Sequence, residues 1–137
     1  MIGFAIGNGK ITTLLIGDLA FIHDVNALAV LKSLKIPVIA IVINNHGGGI
    51  FHFLPIAESK DIFEEYFAAD HEFCFEGVTK TFGLDYYKVT DKSDFTNSYK
   101  AALEKAVPAV IEVVTDRNEN LKLRKTIKNQ ILKILHQ

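Results

Sequence analysis

The sequence predicts an α/β fold: a doubly wound, mainly parallel sheet with helices on both faces. Two observations carry this. Thr12-Thr13-Leu14-Leu15-Ile16-Gly17-Asp18 and Val38-Ile39-Ala40-Ile41-Val42-Ile43-Asn44-Asn45 are apolar runs with polar ends, the pattern of parallel strands buried on both faces. Residues 23–35 between them have helical periodicity, and the rest of the chain continues the alternation of strand and helix.

In chain order, residues 2–7 read as the last turns of a helix, ended by Asn8-Gly9, two residues that tolerate a left-handed cap. A strand over 12–16 follows, then a helix over 23–35 with Val25, Leu28, Ala29 and Leu31 near one face. Pro37 stops that helix, and a strand over 38–43 begins. Gly47-Gly48-Gly49 falls outside regular structure and allows positive φ and close approach of backbone to a ligand. Ile50-Phe51-His52-Phe53-Leu54-Pro55 places large apolar groups directly after it. Residues 61–67 and 76–82 form short helices, the second closed by Gly83. Strands over 86–89 and 110–114 are separated by a helix over 93–106. A last helix over 118–137 mixes Leu121, Ile127, Ile131, Leu132 and Leu135 with Arg124, Lys125, Lys128 and Lys133. It reads as amphipathic with a solvated basic face; the alternative is a basic surface that meets an acidic partner or a larger assembly.

Composition narrows the function classes. With 137 residues, 49% hydrophobic and 23% charged, the chain is expected to be one soluble domain over 1–137. A net charge of -1 gives no electrostatic case for nucleic acid or an anionic membrane. Cys74, the one cysteine, cannot form an internal disulfide and reads as a small buried apolar residue. No apolar run approaches the roughly 20 residues of a membrane span. The amino terminus lacks the basic region and cleavage pattern of a signal peptide, so a cytoplasmic protein is expected.

In the strand–helix–strand unit, Asp18 and Asn44-Asn45 fall at the carboxyl edge of the sheet, where open α/β sheets bind ligands. A carboxylate oxygen of Asp18 and an amide oxygen of Asn45 would converge there. Oxygen-only donors that leave room for water and phosphate suit Mg²⁺ shared with a diphosphate. The plainer reading has Asp18 capping the next helix and the Asn pair merely ending a strand.

The spacing sharpens the first reading. Gly17-Asp18, with Asn45 27 positions beyond Asp18 and Gly47-Gly48-Gly49 after it, resembles the thiamine-diphosphate signature, which opens on Gly-Asp and closes on Asn-Asn. The flanking residues are more specific. Gly17-Asp18-Leu19-Ala20-Phe21-Ile22-His23-Asp24-Val25-Asn26 and Asn44-Asn45-His46-Gly47-Gly48-Gly49-Ile50-Phe51-His52-Phe53-Leu54-Pro55 closely resemble segments of the 2-succinyl-5-enolpyruvyl-6-hydroxy-3-cyclohexene-1-carboxylate synthase family of menaquinone biosynthesis. The likeness covers nearly the whole chain. Other thiamine families, such as 2-oxoacid decarboxylases and acetolactate synthases, usually have Gly-Asp-Gly where this chain has Gly17-Asp18-Leu19.

The resemblance implies a thiamine-diphosphate-dependent transferase that decarboxylates 2-oxoglutarate and adds the succinyl unit to isochorismate. Carried onto this chain, Asp18, the Asn45 side chain and the Gly47 carbonyl would hold Mg²⁺. Gly17, Asp18, Leu19, Ala20, Asn45, Gly47 and Ile50 would contact the cofactor, with the Leu19 and Ala20 N–H groups facing its diphosphate at a helix start. Ile50, Phe51 and Leu54 would wall the substrate pocket, while Asn44 supports the loop. Asp24 is expected in a first helical turn, where the dipole favours it; His23 and His52 stay open between structural and proton-transfer roles.

The family enzyme is several times longer and includes a pyrimidine-binding domain, whose glutamate activates the cofactor ring. No acidic residue here matches that glutamate's motif, so no catalytic residue is assigned within this chain. The chain reads as the carboxyl-terminal, diphosphate-binding domain, a fragment of a longer enzyme. It is expected to be inactive alone, homo-oligomeric, and partnered by a pyrimidine-binding domain or chain. The alternatives are the same domain of another thiamine-dependent decarboxylase and a non-catalytic partner module.

Overall fold

A computed structural model describes residues 1–135. Four parallel strands form the sheet: β1 (Thr12–Gly17), β2 (Val38–Asn44), β3 (Asp85–Val89) and β4 (Ala109–Val114), in the spatial order β1-β2-β4-β3. The helices are α1 (Ile2–Asn8), α2 (Asp18–His23), α3 (Leu28–Ser33), α4 (Lys60–Tyr66), α5 (Glu76–Thr81), α6 (Lys92–Lys105) and α7 (Arg117–Leu135). Single 3₁₀ turns occupy Val25–Ala27, Gly49–Phe53 and Pro55–Glu58. The last two positions of the expected terminal helix lie outside the described residues.

The chain divides into two compact units. The first, Met1–Asn44 with Phe73–Val114, contains the sheet, α1, α2, α3, α5 and α6. The second joins Asn45–Glu72 to the segment from Thr115 onward and contains the other two 3₁₀ turns, α4 and α7.

Within the first unit, β2 explains why the sheet is covered on both faces. Its alternate residues divide between two cores, as the two-residue period of a strand requires. Val38, Ala40 and Val42 pack with Phe21 of α2, Leu28 and Leu31 of α3, and Val110 of β4. Ile39 and Ile41 pack on the opposite face with Ile111 of β4 and Ala102 of α6. The β1→β2 and β3→β4 crossovers run in opposite directions along the sheet. Right-handed connections then put α2–α3 and α6 on opposite faces. The doubly wound arrangement follows from that strand order.

Three expectations are corrected. β1 is an edge strand with one face open, and Leu15 is 68% exposed. Its apolar run resembled a strand buried on both faces, but burial also depends on what lies beside a strand. The helix expected over 23–35 starts at Asp18 and breaks at Asp24, which has φ −104° and ψ 14°. The short polar side chains of Asp24 and Asn26 disfavour a helix interior. His23 and Asp24 therefore end a helix rather than begin one, and the dipole reading of Asp24 fails. Cys74 is exposed, not buried.

The helix ends follow sequence chemistry. Gly9 closes α1 at φ +67°. The Asp91 carboxylate caps α6 by accepting from the Asp94 N–H at 2.9 Å. Asp116 caps α7 by accepting from Glu119 and Asn118 N–H groups at 2.8 and 2.7 Å. Those N–H groups, Glu119's foremost, hold its carboxyl below the usual carboxylate range.

One buried carboxylate joins the central strands. Glu112 of β4 is 1% exposed. Its Oε1 accepts from Asn44 Nδ2 at 2.7 Å, and its Oε2 accepts from the Tyr86 hydroxyl at 2.6 Å and the Phe75 N–H at 3.0 Å. Burial and the bond to Glu112 hold the Tyr86 phenol above its ordinary pKa, so it remains a donor. Removing the carboxylate takes an acceptor from three donors, and a buried donor left unsatisfied costs about 1–3 kcal/mol. Glu112→Ala is expected to lose about 3 kcal/mol or more in urea unfolding, and Glu112→Gln less because it keeps one acceptor oxygen. Equal stability of Glu112→Ala and wild type would contradict this role.

Candidate cofactor-binding site

The first unit supplies the strand ends. Gly17 of β1 stands in register with Ile43 of β2, so both strands finish at the same edge of the sheet. Asp18 directly follows Gly17 as the first residue of α2 and is 3% exposed. Its Oδ1 accepts from the Leu19 N–H at 2.7 Å. One of the two N–H groups expected to face a diphosphate is thus engaged by the neighbouring carboxylate. Helix α2 starts at Asp18, directly after the strand.

Asn44, the last residue of β2, is fully buried. Its amide donates to Glu112 and, at 3.1 Å, to the Phe73 carbonyl. It holds the strand end in place, in keeping with the supporting role expected of it. Asn45 is the next residue along the chain.

The second unit contains the loop. Gly47 has φ +131°, and a Cβ there would lie 2.5 Å from the Ala68 carbonyl oxygen and 2.7 Å from that of Ala69. A Cβ on Gly48 would meet Phe51 Cδ2 at 2.8 Å and the Phe67 carbonyl oxygen at 2.9 Å. At Gly49 it would run into the Asn45 side-chain amide. The close approach expected of these glycines is therefore made, among the described residues, to the chain's own backbone and to Asn45. The triplet is not wholly irregular either: Gly49 opens a 3₁₀ turn.

The loop's atoms suit a hard cation. The Gly47 carbonyl accepts from the Gly49 N–H at 2.8 Å. By chemistry, the Asp18 carboxylate, the Asn45 amide and the Gly47 carbonyl are each oxygen donors of the kind a hard cation takes. Among the described residues, no three His, Cys, Asp or Glu side chains gather into a metal-binding group.

Beyond the glycines the loop turns apolar side chains outward. Ile50 is 70% and Leu54 49% exposed, and Phe51 is also exposed while touching Phe67 edge-on. Phe53 is half-buried beneath the Arg124 guanidinium. The histidines divide by contact. His52 meets the Phe63 ring edge-on at 4.6 Å, and His46 Nδ1 lies 3.1 Å from the His71 carbonyl oxygen. His23 is exposed at the end of α2.

Sequence reasoning missed Glu112 as the support of Asn44. A signal was present: a lone carboxylate within the apolar strand Ala109–Val114, where only a satisfied charge is tolerated.

Residues 1–113 match the family described as thiamine pyrophosphate enzyme, C-terminal TPP binding domain. Among curated proteins, the chain is 49% identical over 119 residues to 2-succinyl-5-enolpyruvyl-6-hydroxy-3-cyclohexene-1-carboxylate synthase of Chlorobium chlorochromatii, covering 87% of this chain and 20% of that one. It is 48% identical over 125 residues to the protein of the same name in Rubrobacter xylanophilus, covering 91% and 21%. The chain thus spans about a fifth of the length of the curated relatives it matches. Among solved structures, the thiamine diphosphate-dependent 4-hydroxybenzoylformate decarboxylase of Rhodococcus jostii is similar at a TM-score of 0.65 and 28% identity, over 76% of this chain and 19% of that one. The benzoylformate decarboxylase of Polynucleobacter necessarius, at 22% identity and a TM-score of 0.70, shares the fold over 85% of this chain and 22% of its own. By its matched residues, its parallel sheet and its relatives, the chain belongs to the C-terminal TPP binding domain family of thiamine pyrophosphate enzymes.

Proposed function

We propose that this chain is the diphosphate- and Mg²⁺-holding domain of a thiamine-diphosphate-dependent synthase that decarboxylates 2-oxoglutarate and adds the succinyl unit to isochorismate in menaquinone biosynthesis. Residues 1–137 act in this reading as one domain of a longer, cytoplasmic, homo-oligomeric enzyme. The observation that carries it is Asp18: a carboxylate buried directly after β1, whose last residue, Gly17, stands in register with Ile43, the residue before Asn44 at the end of β2. The names of the relatives and the Gly17-Asp18-Leu19 sequence favour this synthase over a 2-oxoacid decarboxylase. Among the described residues no helix is long and apolar enough to cross a membrane.

Asp18, the Asn45 side chain and the Gly47 carbonyl are the residues that would hold Mg²⁺, with diphosphate and water completing its shell. Gly17, Leu19 and Ala20 would approach the diphosphate through their backbone. Ile50, Phe51 and Leu54 would exclude water and wall the substrate. The cofactor, when bound, supplies stabilisation of negative charge on carbon. The chain's part is to orient and hold it.

Three outcomes test this reading. Asp18→Ala is expected to weaken Mg²⁺-dependent thiamine diphosphate binding by at least about 100-fold in calorimetric titration, since even outer-shell metal partners are worth 10–100-fold. The variant should keep the circular dichroism spectrum of the folded chain. Unchanged cofactor binding would sink the metal assignment.

The purified chain alone is expected not to turn over 2-oxoglutarate. The ring-activating glutamate implied by the family belongs to another domain, and acid–base assistance contributes about 10²–10⁴ in rate. Turnover above a contaminant control would overturn that. Finally, the exposed Ile50, Phe51 and Leu54 should meet a pyrimidine-binding domain or chain. Sedimentation of the lone chain should show concentration-dependent association that weakens with Phe51→Ser; a monomer at every concentration would argue against an interface there.

A further inference from the structure

A second concave site lies wholly within the unit that carries α4 and α7. Leu121, Arg124, Lys125 and Lys128 recur at three- and four-residue steps on one face of α7 and line a cavity of about 790 Å³. The turn Pro55–Glu58 and the start of α4 contribute to its wall.

The charge of the lining is one-sided. Lys60, Arg124, Lys125 and Lys128 bring four cations, against the single carboxylate of Glu58. Among the described residues, no ion pair joins any of these four to an acid. A concave wall that gathers unpaired charge of one sign concentrates its counter-ion.

Arg124 adds geometry to the charge. Its guanidinium lies over the Phe53 ring, 3.9 Å from the centroid. Such stacking engages the face of the guanidinium and leaves its in-plane N–H fork for a carboxylate or phosphate, which it matches in a bidentate fashion. The cavity also has apolar surface from Phe63 and Leu54, and among the described residues the buried His52 Nδ1 has no hydrogen-bond partner.

We propose that this cavity binds a small organic polyanion: an apolar ring or short chain bearing two or more carboxylate or phosphate groups. Concavity with an apolar floor favours a small molecule over an acidic protein segment, which the solvated face of a long helix would serve without a cavity. The site is independent of the cofactor assignment, since Asn45, Gly47, Ile50 and Phe51 do not line it; Leu54 is the one residue it shares with the expected substrate wall.

The test is calorimetric titration of the whole chain with trimesate (benzene tricarboxylate), inorganic phosphate, benzoate and a glutamate-rich decapeptide. Trimesate is expected to bind saturably and more tightly than benzoate, with affinity falling as salt rises. Arg124→Gln and Lys128→Gln, both on an exposed helix, should keep the circular dichroism spectrum. Arg124→Gln should weaken trimesate about tenfold or more, the scale of a lost charge-assisted hydrogen bond. Asp18→Ala should leave trimesate binding unchanged, which separates this site from the cofactor site. Phosphate binding more tightly than trimesate, with the same Arg124 dependence, supports the site and assigns it to phosphate esters. No saturable binding of either anion, affinity indifferent to Arg124→Gln, or tighter binding of the peptide than of trimesate would overturn the proposal.

Discussion

A carboxylate cannot lie within an apolar sheet unless its oxygens are satisfied, and that constraint organises the first unit. Glu112 is placed by β4 among Val42, Val110 and Tyr86, and its two oxygens reach the end of β2, the side chain of a β3 residue and the backbone at Phe75. The same Asn44 amide that donates to Glu112 also donates to Phe73. The point where the chain leaves the first unit and the point where it returns are therefore tied through one side chain. Residues 45–72 are closed into a loop whose ends are fixed, which limits the entropy that must be lost in ordering them.

That tie bears directly on the candidate site. A ligand residue at a strand end is only as well placed as the strand end itself, and Asn44 is immobilised by two acceptors before the chain reaches Asn45. On the neighbouring strand, the β1–β2 register sets Gly17 level with Ile43, and Asp18 follows at once. Under the proposed assignment, pre-organisation of each strand end would lower the cost of presenting its oxygen donor to a cation. It arises from sheet hydrogen bonding and one buried network, with little demand on long flexible side chains.

Much of this was legible from residue order. The apolar runs located all four strands, and Gly9 and Gly83 mark helix ends in the left-handed region. What escaped depends on neighbours distant in sequence. Leu14-Leu15-Ile16 has the composition of a central strand, yet β1 has a partner on one side only, and local sequence does not record which side is covered. Cys74 has the type of a core residue, but it sits at an exposed point where Tyr86 and Glu112 approach its sulfur at 3.6 and 3.8 Å. The helix break at Asp24 reflects a contest between apolar periodicity, which favoured one long helix, and short polar side chains, which do not sustain a helix interior.

The loop after β2 divides its labour between backbone and side chains. Gly47 and Gly48 are buried, and their missing Cβ atoms make room for the carbonyls of residues 67–69, so the base of the loop is held by main-chain contact. Any larger residue at Gly47 would combine that collision with a φ of +131° that L side chains rarely adopt. Ile50 and Leu54 follow within a few residues and stay largely in solvent. A chain selected only for its own stability would gain by turning such groups inward, at about 25 cal/mol per Å² of apolar surface. Here they stay in solvent, just beyond a glycine base set by close main-chain contact. That is the arrangement expected of a surface whose apolar contacts are made with something other than its own core, be it cofactor, substrate or another domain.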